Sequence, residues 1–117
     1  MSELLELTEK TLSEKLGENI TVIDMRQVNP FTDYFVIATA KNIRHAASLA
    51  DDMVKAAQQN GCEIRTVEGS EGSSWILIDL NEVVVHIFTE DARSQYKLES
   101  LWGDQKITHY EDAGMPA

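Results

Sequence analysis

The chain has 117 residues, a length that suits one domain with a core large enough to need no covalent staple. Twenty acidic residues stand against ten basic ones, a formal charge of −10, which repels naked nucleic acid and suits a basic protein partner. The single cysteine, Cys62, excludes an internal disulfide and a multi-cysteine metal site. No apolar run approaches the roughly 20 residues that cross a bilayer, so a soluble, unprocessed cytoplasmic protein is expected.

Residues 2–16 read as a helix, with Leu5, Thr8, Leu12 and Leu16 at helical spacing, Ser2 as N-cap and Gly17 just past the end. "NITVIDM", 19–25, is β-branched and short and reads as a strand, and Asn29-Pro30 marks a loop. "YFVIATA", 34–40, is a second strand, apolar enough for a sheet interior. Asn42 caps a helix over 43–60 whose buried stripe is Ala46, Ala50, Met53 and Ala57, with Gly61 as the stop. "CEIRTV", 62–67, is a third strand. Strand, long helix and strand imply a βαβ unit with a parallel pair. A Gly/Ser loop then leads to two strands, Trp75–Leu80 and Val83–Phe88, joined by Asn81-Glu82 as a tight hairpin. Thr89 caps a last helix from about 90 to 102. The expected architecture is α/β: a mixed sheet of about five strands with flanking helices mostly on one face. A single domain spans 1–104, and residues 105–117 form a polar tail.

The hairpin raises the functional question, because "WILIDLNEVVVHIF" is the most apolar stretch of the chain yet contains Asp79 and His86. Side chains alternate along a strand. With a two-residue turn, Ile76, Ile78, Leu80, Val83, Val85 and Ile87 share an aliphatic face that belongs in the core. The opposite face pairs Trp75 with Phe88, Leu77 with His86, and Asp79 with Val84. An unpaired carboxylate is costly to bury, so this face has two readings. It is an open partner-binding patch made of Trp75, Leu77, Asp79, Glu82, Val84, His86 and Phe88, or another helix covers it and Asp79–His86 is an internal ion pair.

Signals for catalysis are weak. An Asp–His pair lacks a nucleophile in an elbow context, and Cys62 has no activating neighbour. His45, His86 and His109 are dispersed, without paired-ligand spacing. "AKNIRH" lacks the glycines that let a backbone approach phosphates. No cofactor and no metal are expected, and a binding protein is the better reading.

Three blocks, "DYFVIATAKNIRHAASLAD", "WILIDLNEVVVHIF" and "YKLESLWGD", in this order and spacing, resemble the ribosomal silencing factor (Iojap-like) family over about Asp33 to Asp104. Residues that match the pattern include Asp33, Tyr34, Arg44, His45, Glu68, Gly69, Trp75, Asp79, His86, Tyr96, Leu101 and Trp102. Ala40 and Asn81-Glu82 depart from it, where the family usually has glycine and Gly-Asp. The resemblance implies a nucleotidyltransferase-like fold without catalytic residues. It also implies binding to the large ribosomal subunit through large-subunit ribosomal protein fourteen, steric exclusion of the small subunit, repression of translation, and homodimers when free. The alternative is a nucleotidyltransferase-type enzyme with an unrecognised site.

Overall fold

The computed structural model describes residues 3–69 and 72–110. In chain order these form α1 (Glu3–Glu14), β1 (Glu18–Asp24), β2 (Tyr34–Ala40), α2 (Ile43–Gln59), β3 (Thr66–Glu68), β4 (Trp75–Asp79), β5 (Val83–Thr89), α3 (Glu90–Tyr96), α4 (Leu98–Leu101) and β6 (Ile107–His109). The fold class is α/β as expected, with a mixed sheet of six strands in the order β3-β4-β5-β2-β1-β6.

The centre of the sheet is the parallel pair β2–β5, seven residues in register from Tyr34↔Val83 to Ala40↔Thr89. Both are near-continuous apolar runs, as strands buried on two faces must be. The expected parallel partner of β2 was the strand after α2, and this is corrected. β3 runs in the same direction as β2 but lies three places away, at the sheet edge, where it pairs only with β4. The β4–β5 hairpin fills the gap. β3 is also shorter than the expected 62–67 strand, because Cys62 and Ile64 turn partly into the core rather than joining a ladder. The sixth strand is the other difference. Ile107–His109, assigned to a polar tail by sequence, pairs antiparallel with β1.

α1 ends in a Schellman motif. Leu16 N–H reaches the Ser13 carbonyl at 3.1 Å and Gly17 N–H the Leu12 carbonyl at 2.7 Å. Leu16, not Gly17, holds the left-handed position, at φ 68°. Glycine is required next to it because a Cβ there would lie 2.8 Å from the Leu12 carbonyl oxygen. The Ser2 N-cap lies outside the described residues. α2 is capped as expected, with Asn42 Oδ1 accepting from His45 N–H at 2.8 Å.

Two cores result. On one face of the sheet, α1 and α2 bury the aliphatic side of the hairpin (Ile76, Ile78, Leu80, Val83, Val85 and Ile87) together with Leu12, Leu49 and Met53. Each such side chain contributes about 1.5–3 kcal/mol when fully buried. On the other face, Ile23, Met25, Ile37 and Phe88 pack with Ala92 and Leu98 from the C-terminal helices. Helices therefore cover both faces.

The single 90–102 helix of the sequence reading is two helices, broken at Lys97, which is left-handed at φ 46°. At 100° per residue, a straight helix would turn Leu98 about 120° away from Ala92 and 140° from Arg93, which are both buried. The break lets all three face the sheet. Thr89 occupies the cap position of α3 without a side-chain cap hydrogen bond.

Candidate functional site: an aromatic sheet face with a buried floor

The register of the β4–β5 hairpin is the expected one: Trp75↔Phe88, Leu77↔His86, Asp79↔Val84. Asn81 takes φ +76°, and Glu82 N–H bonds the Leu80 carbonyl two residues back at 3.0 Å, a γ-type turn. The second face of the hairpin thus carries the expected six side chains, but they divide into two groups. Phe88 is fully buried, His86 is 3 % exposed and Val84 7 %. Trp75, Leu77, Asp79 and Glu82 are half-buried. The expectation that all seven form an open patch is corrected for Val84, His86 and Phe88. Neighbouring β2 adds Phe35 and Ile37 beside them, and Ala92, Leu98 and Trp102 close over part of the face.

Trp75 sits on this floor under several restraints. Its ring lies 4.9 Å from Phe88 and 4.8 Å from Tyr96. Its indole N–H donates to His86 Nδ1 at 3.1 Å. Gly69, at φ +89°, lets the chain pass close to the start of β4, since a Cβ there would lie 2.5 Å from the Trp75 carbonyl oxygen. The indole bond also sets the histidine tautomer: with Nδ1 accepting, the proton of the neutral ring is on Nε2. Nε2 is buried without a hydrogen-bond partner, as is Trp102 Nε1. The Phe35 ring neighbours both side chains, 4.9 Å from His86 and 6.4 Å from Trp102. Burial lowers the His86 pKa to about 4, so the ring is neutral at pH 7.

The Asp79–His86 ion pair of the second sequence reading does not form. Asp79 Oδ1 accepts from Asn81 N–H at 2.8 Å and holds the turn, while His86 faces the indole. The rim of the site includes Tyr96, 50 % exposed, and Leu101, 69 % exposed. With the half-buried Phe35 and Trp102 they extend the aromatic surface beyond the hairpin. Phe35 belongs to the site through the parallel β2–β5 pairing, and Tyr96 through α3, which follows β5 directly.

Two other polar clusters are structural. His45 Nδ1 accepts from Lys41 N–H at 2.9 Å and Nε2 donates to the Lys15 carbonyl at 3.0 Å, clasping the end of α1 to the start of α2. Arg93, 9 % exposed, donates to the Asn19 carbonyl (2.6 Å), Thr39 Oγ1 (2.8 Å), Thr21 Oγ1 (2.8 Å) and Glu99 (3.0 Å). It also borders an open polar cleft of about 540 Å³ with Glu18, Lys97 and Ser100. Because its N–H groups are engaged by the protein itself, this cleft is a weaker candidate for recognition than the aromatic face. Among the described residues, no three of His, Cys, Asp and Glu gather in a way that could hold a metal ion, and no helix is long and apolar enough to cross a membrane.

Comparison with known proteins agrees across sequence and structure. Residues 1–116 match the family described as "Ribosomal silencing factor during starvation". The ribosomal silencing factor RsfS of Halalkalibacterium halodurans is 37 % identical over 109 residues, covering 93 % of each chain. A crystal structure of a protein from Chromobacterium violaceum superposes with a TM-score of 0.84 at 29 % identity, covering 99 % of this chain and 98 % of that one. A mouse protein named "Mitochondrial assembly of ribosomal large subunit protein 1" is 29 % identical over 78 % of this chain, which spans 41 % of it. With sequence, length and fold in accord, the chain belongs to the ribosomal silencing factor family.

Proposed function

We propose that this protein binds the large ribosomal subunit through large-subunit ribosomal protein fourteen and keeps the small subunit from joining, so repressing translation. The carrying observation is the aromatic rim of Trp75 and Tyr96, held against Phe88 and His86 and joined by the exposed Leu101, in a chain of this family. Fixed aromatics beside polar groups have the composition of a protein-binding hot spot. The charge of −10 suits a partner that is basic because it lies on rRNA. The mouse relative's name, which refers to the large ribosomal subunit, supports the same choice of subunit. Blocking a surface needs occupancy and no chemistry. In the absence of ribosomes, the same apolar rim favours a two-fold homodimer, and dimer and ribosome complex then compete for it.

The test is co-sedimentation of the purified protein with separated ribosomal subunits. The protein is expected in the large-subunit fraction. Trp75→Ala, still folded by circular dichroism, is expected to bind more weakly by ~2 kcal/mol, about thirtyfold, and to lose inhibition in a purified translation system. A folded Trp75→Ala that sediments with large subunits at wild-type affinity would place the binding site elsewhere. Saturable Mg²⁺-dependent ATP binding at micromolar concentration would favour an enzyme instead.

A further inference from the structure

The most exposed large apolar side chain among the described residues is outside the aromatic face. Phe31, 76 % exposed, stands on the loop between β1 and β2, and Val28 on the same loop is 43 % exposed. An exposed phenyl ring on a slack loop would need no explanation. This loop is not slack. Val28 N–H and Asn29 N–H both bond the Met25 carbonyl, at 3.1 and 2.9 Å. Asn29 Oδ1 accepts from Phe31 N–H at 2.8 Å and from Thr32 N–H at 3.1 Å. Thr32 itself is buried. The end of the loop is tied to the hairpin: Asp33 N–H and Tyr34 N–H both donate to the Glu82 carbonyl, at 2.8 and 3.1 Å. The chain thus holds Phe31 out in water from both sides, and couples it to the turn that ends the β4–β5 strands.

We infer that Phe31 is a second, pre-organised anchor for a basic protein partner, and that the partner on the aromatic face reaches across the hairpin tip to it. This deepens the proposed function and rests on it. The occupant is chosen by the charge of the whole chain. Asp24, Asp33, Asp79 and Glu82 stand at this end of the sheet beside Arg26, Arg65 and Lys106; Asp24 engages the Arg26 guanidinium bidentately at 3.0 and 2.7 Å, and Arg65 donates to Asn81 Oδ1 at 3.2 Å. On a chain of net charge −10, an apolar side chain in a mixed polar rim suits an apolar contact on the same basic partner. Ordering the loop in the free protein leaves less conformational freedom to lose on binding, which is what makes a single exposed aromatic effective as an anchor.

The experiment compares Phe31→Ala, Phe31→Trp and Trp75→Ala in binding to purified large ribosomal subunits, each checked for an unchanged thermal midpoint. Phe31→Ala is expected to weaken binding by about tenfold and Phe31→Trp to retain it, as for a contact that is aromatic rather than specific to phenylalanine. The inference is overturned, with the proposed function intact, if Trp75→Ala loses binding and Phe31→Ala does not. It is overturned equally if Phe31→Ala lowers self-association of the free protein without affecting subunit binding, since the occupant would then be a second copy. If neither Phe31→Ala nor Trp75→Ala changes subunit binding, both the inference and the placing of the site on the aromatic face fail together.

Discussion

Protonating His86 should destabilise the protein as the pH falls from 6.5 towards 4. Its imidazole is 3 % exposed, lies between Phe35, Phe88 and Trp75, and accepts the indole N–H on Nδ1. Burial lowers its pKa to about 4 in the folded state, against 6.5 ordinarily. Between those values the unfolded chain binds a proton that the folded chain refuses. Stability is therefore full above pH 6.5 and falls as the pH drops to 4. At 1.36 kcal/mol for each tenfold difference in proton affinity, the loss is about 3 kcal/mol. Asp24, held at about 2 by its hydrogen bonds with Arg26, loses its contribution only at lower pH. Glu9, raised by burial and by Glu6, acts in the opposite sense. The measurement is therefore a difference: urea unfolding of wild type and His86→Leu at pH 7, 6, 5 and 4.5. The wild-type curve is expected to lose stability faster by about 2–2.5 kcal/mol between pH 7 and 4.5. Parallel curves would mean that His86 is hydrated and that the floor is not a floor.

The remaining expectations separate the two faces and the clasp between them. Ile78→Ala, at a fully buried position, should cost roughly 2–5 kcal/mol in denaturant melts, whereas Asp79→Asn should cost well under half as much, because an amide oxygen can still accept from Asn81 N–H. Equal losses would mean that Asp79 is buried as deeply as Ile78. Arg93→Ala should cost about 3–5 kcal/mol, since it leaves acceptors unpaired on β1, β2 and α4, and Arg93→Lys should recover little because one ammonium cannot span them. Full stability in Arg93→Lys would reduce the clasp to a point charge.

Local features of this chain are legible in its sequence, and long-range order is not. The hairpin register follows from alternation and a two-residue link. Once Asn81-Glu82 is the turn, Trp75 must oppose Phe88 and Ile78 must oppose Val85. Asn42 and the bounds of β2 are read from the same kind of signal. Strand order is different, because a pattern tells which faces are apolar and not which strand lies beside which. The clue was nevertheless present: "YFVIATA" and "VVVHIF" are the two most continuous apolar runs, and such strands belong together in the middle of a sheet. β6 left no such clue, since "ITH" is three residues of a polar segment and gains its strand only by lying along β1. The second core escaped for a related reason. Its cover is one helix of seven residues and one of four, turned at a left-handed lysine for which sequence has no code.

That small cover is what would let one sheet face be both core and the proposed contact surface. A face left fully open would expose Phe88 and leave the indole of Trp75 free to choose among rotamers. A face fully covered would bury Trp75 with it. Here α3 and α4 reach far enough to bury Phe88 and His86 but leave Trp75 and Leu77 half in water. In the proposed binding, the buried residues then act indirectly. Phe88 packs against the indole with its ring tilted, His86 accepts its N–H, and Tyr96 closes its side, so the conformational cost of ordering this tryptophan falls on folding. It follows that the residues of this face sort by depth. Changes at Val84, His86 and Phe88 are expected to lower stability first, and to affect the proposed binding only through the orientation of Trp75. Under the proposed function, changes at Trp75 and Leu77, and at the rim residue Leu101, are expected to lower affinity in a protein that remains folded.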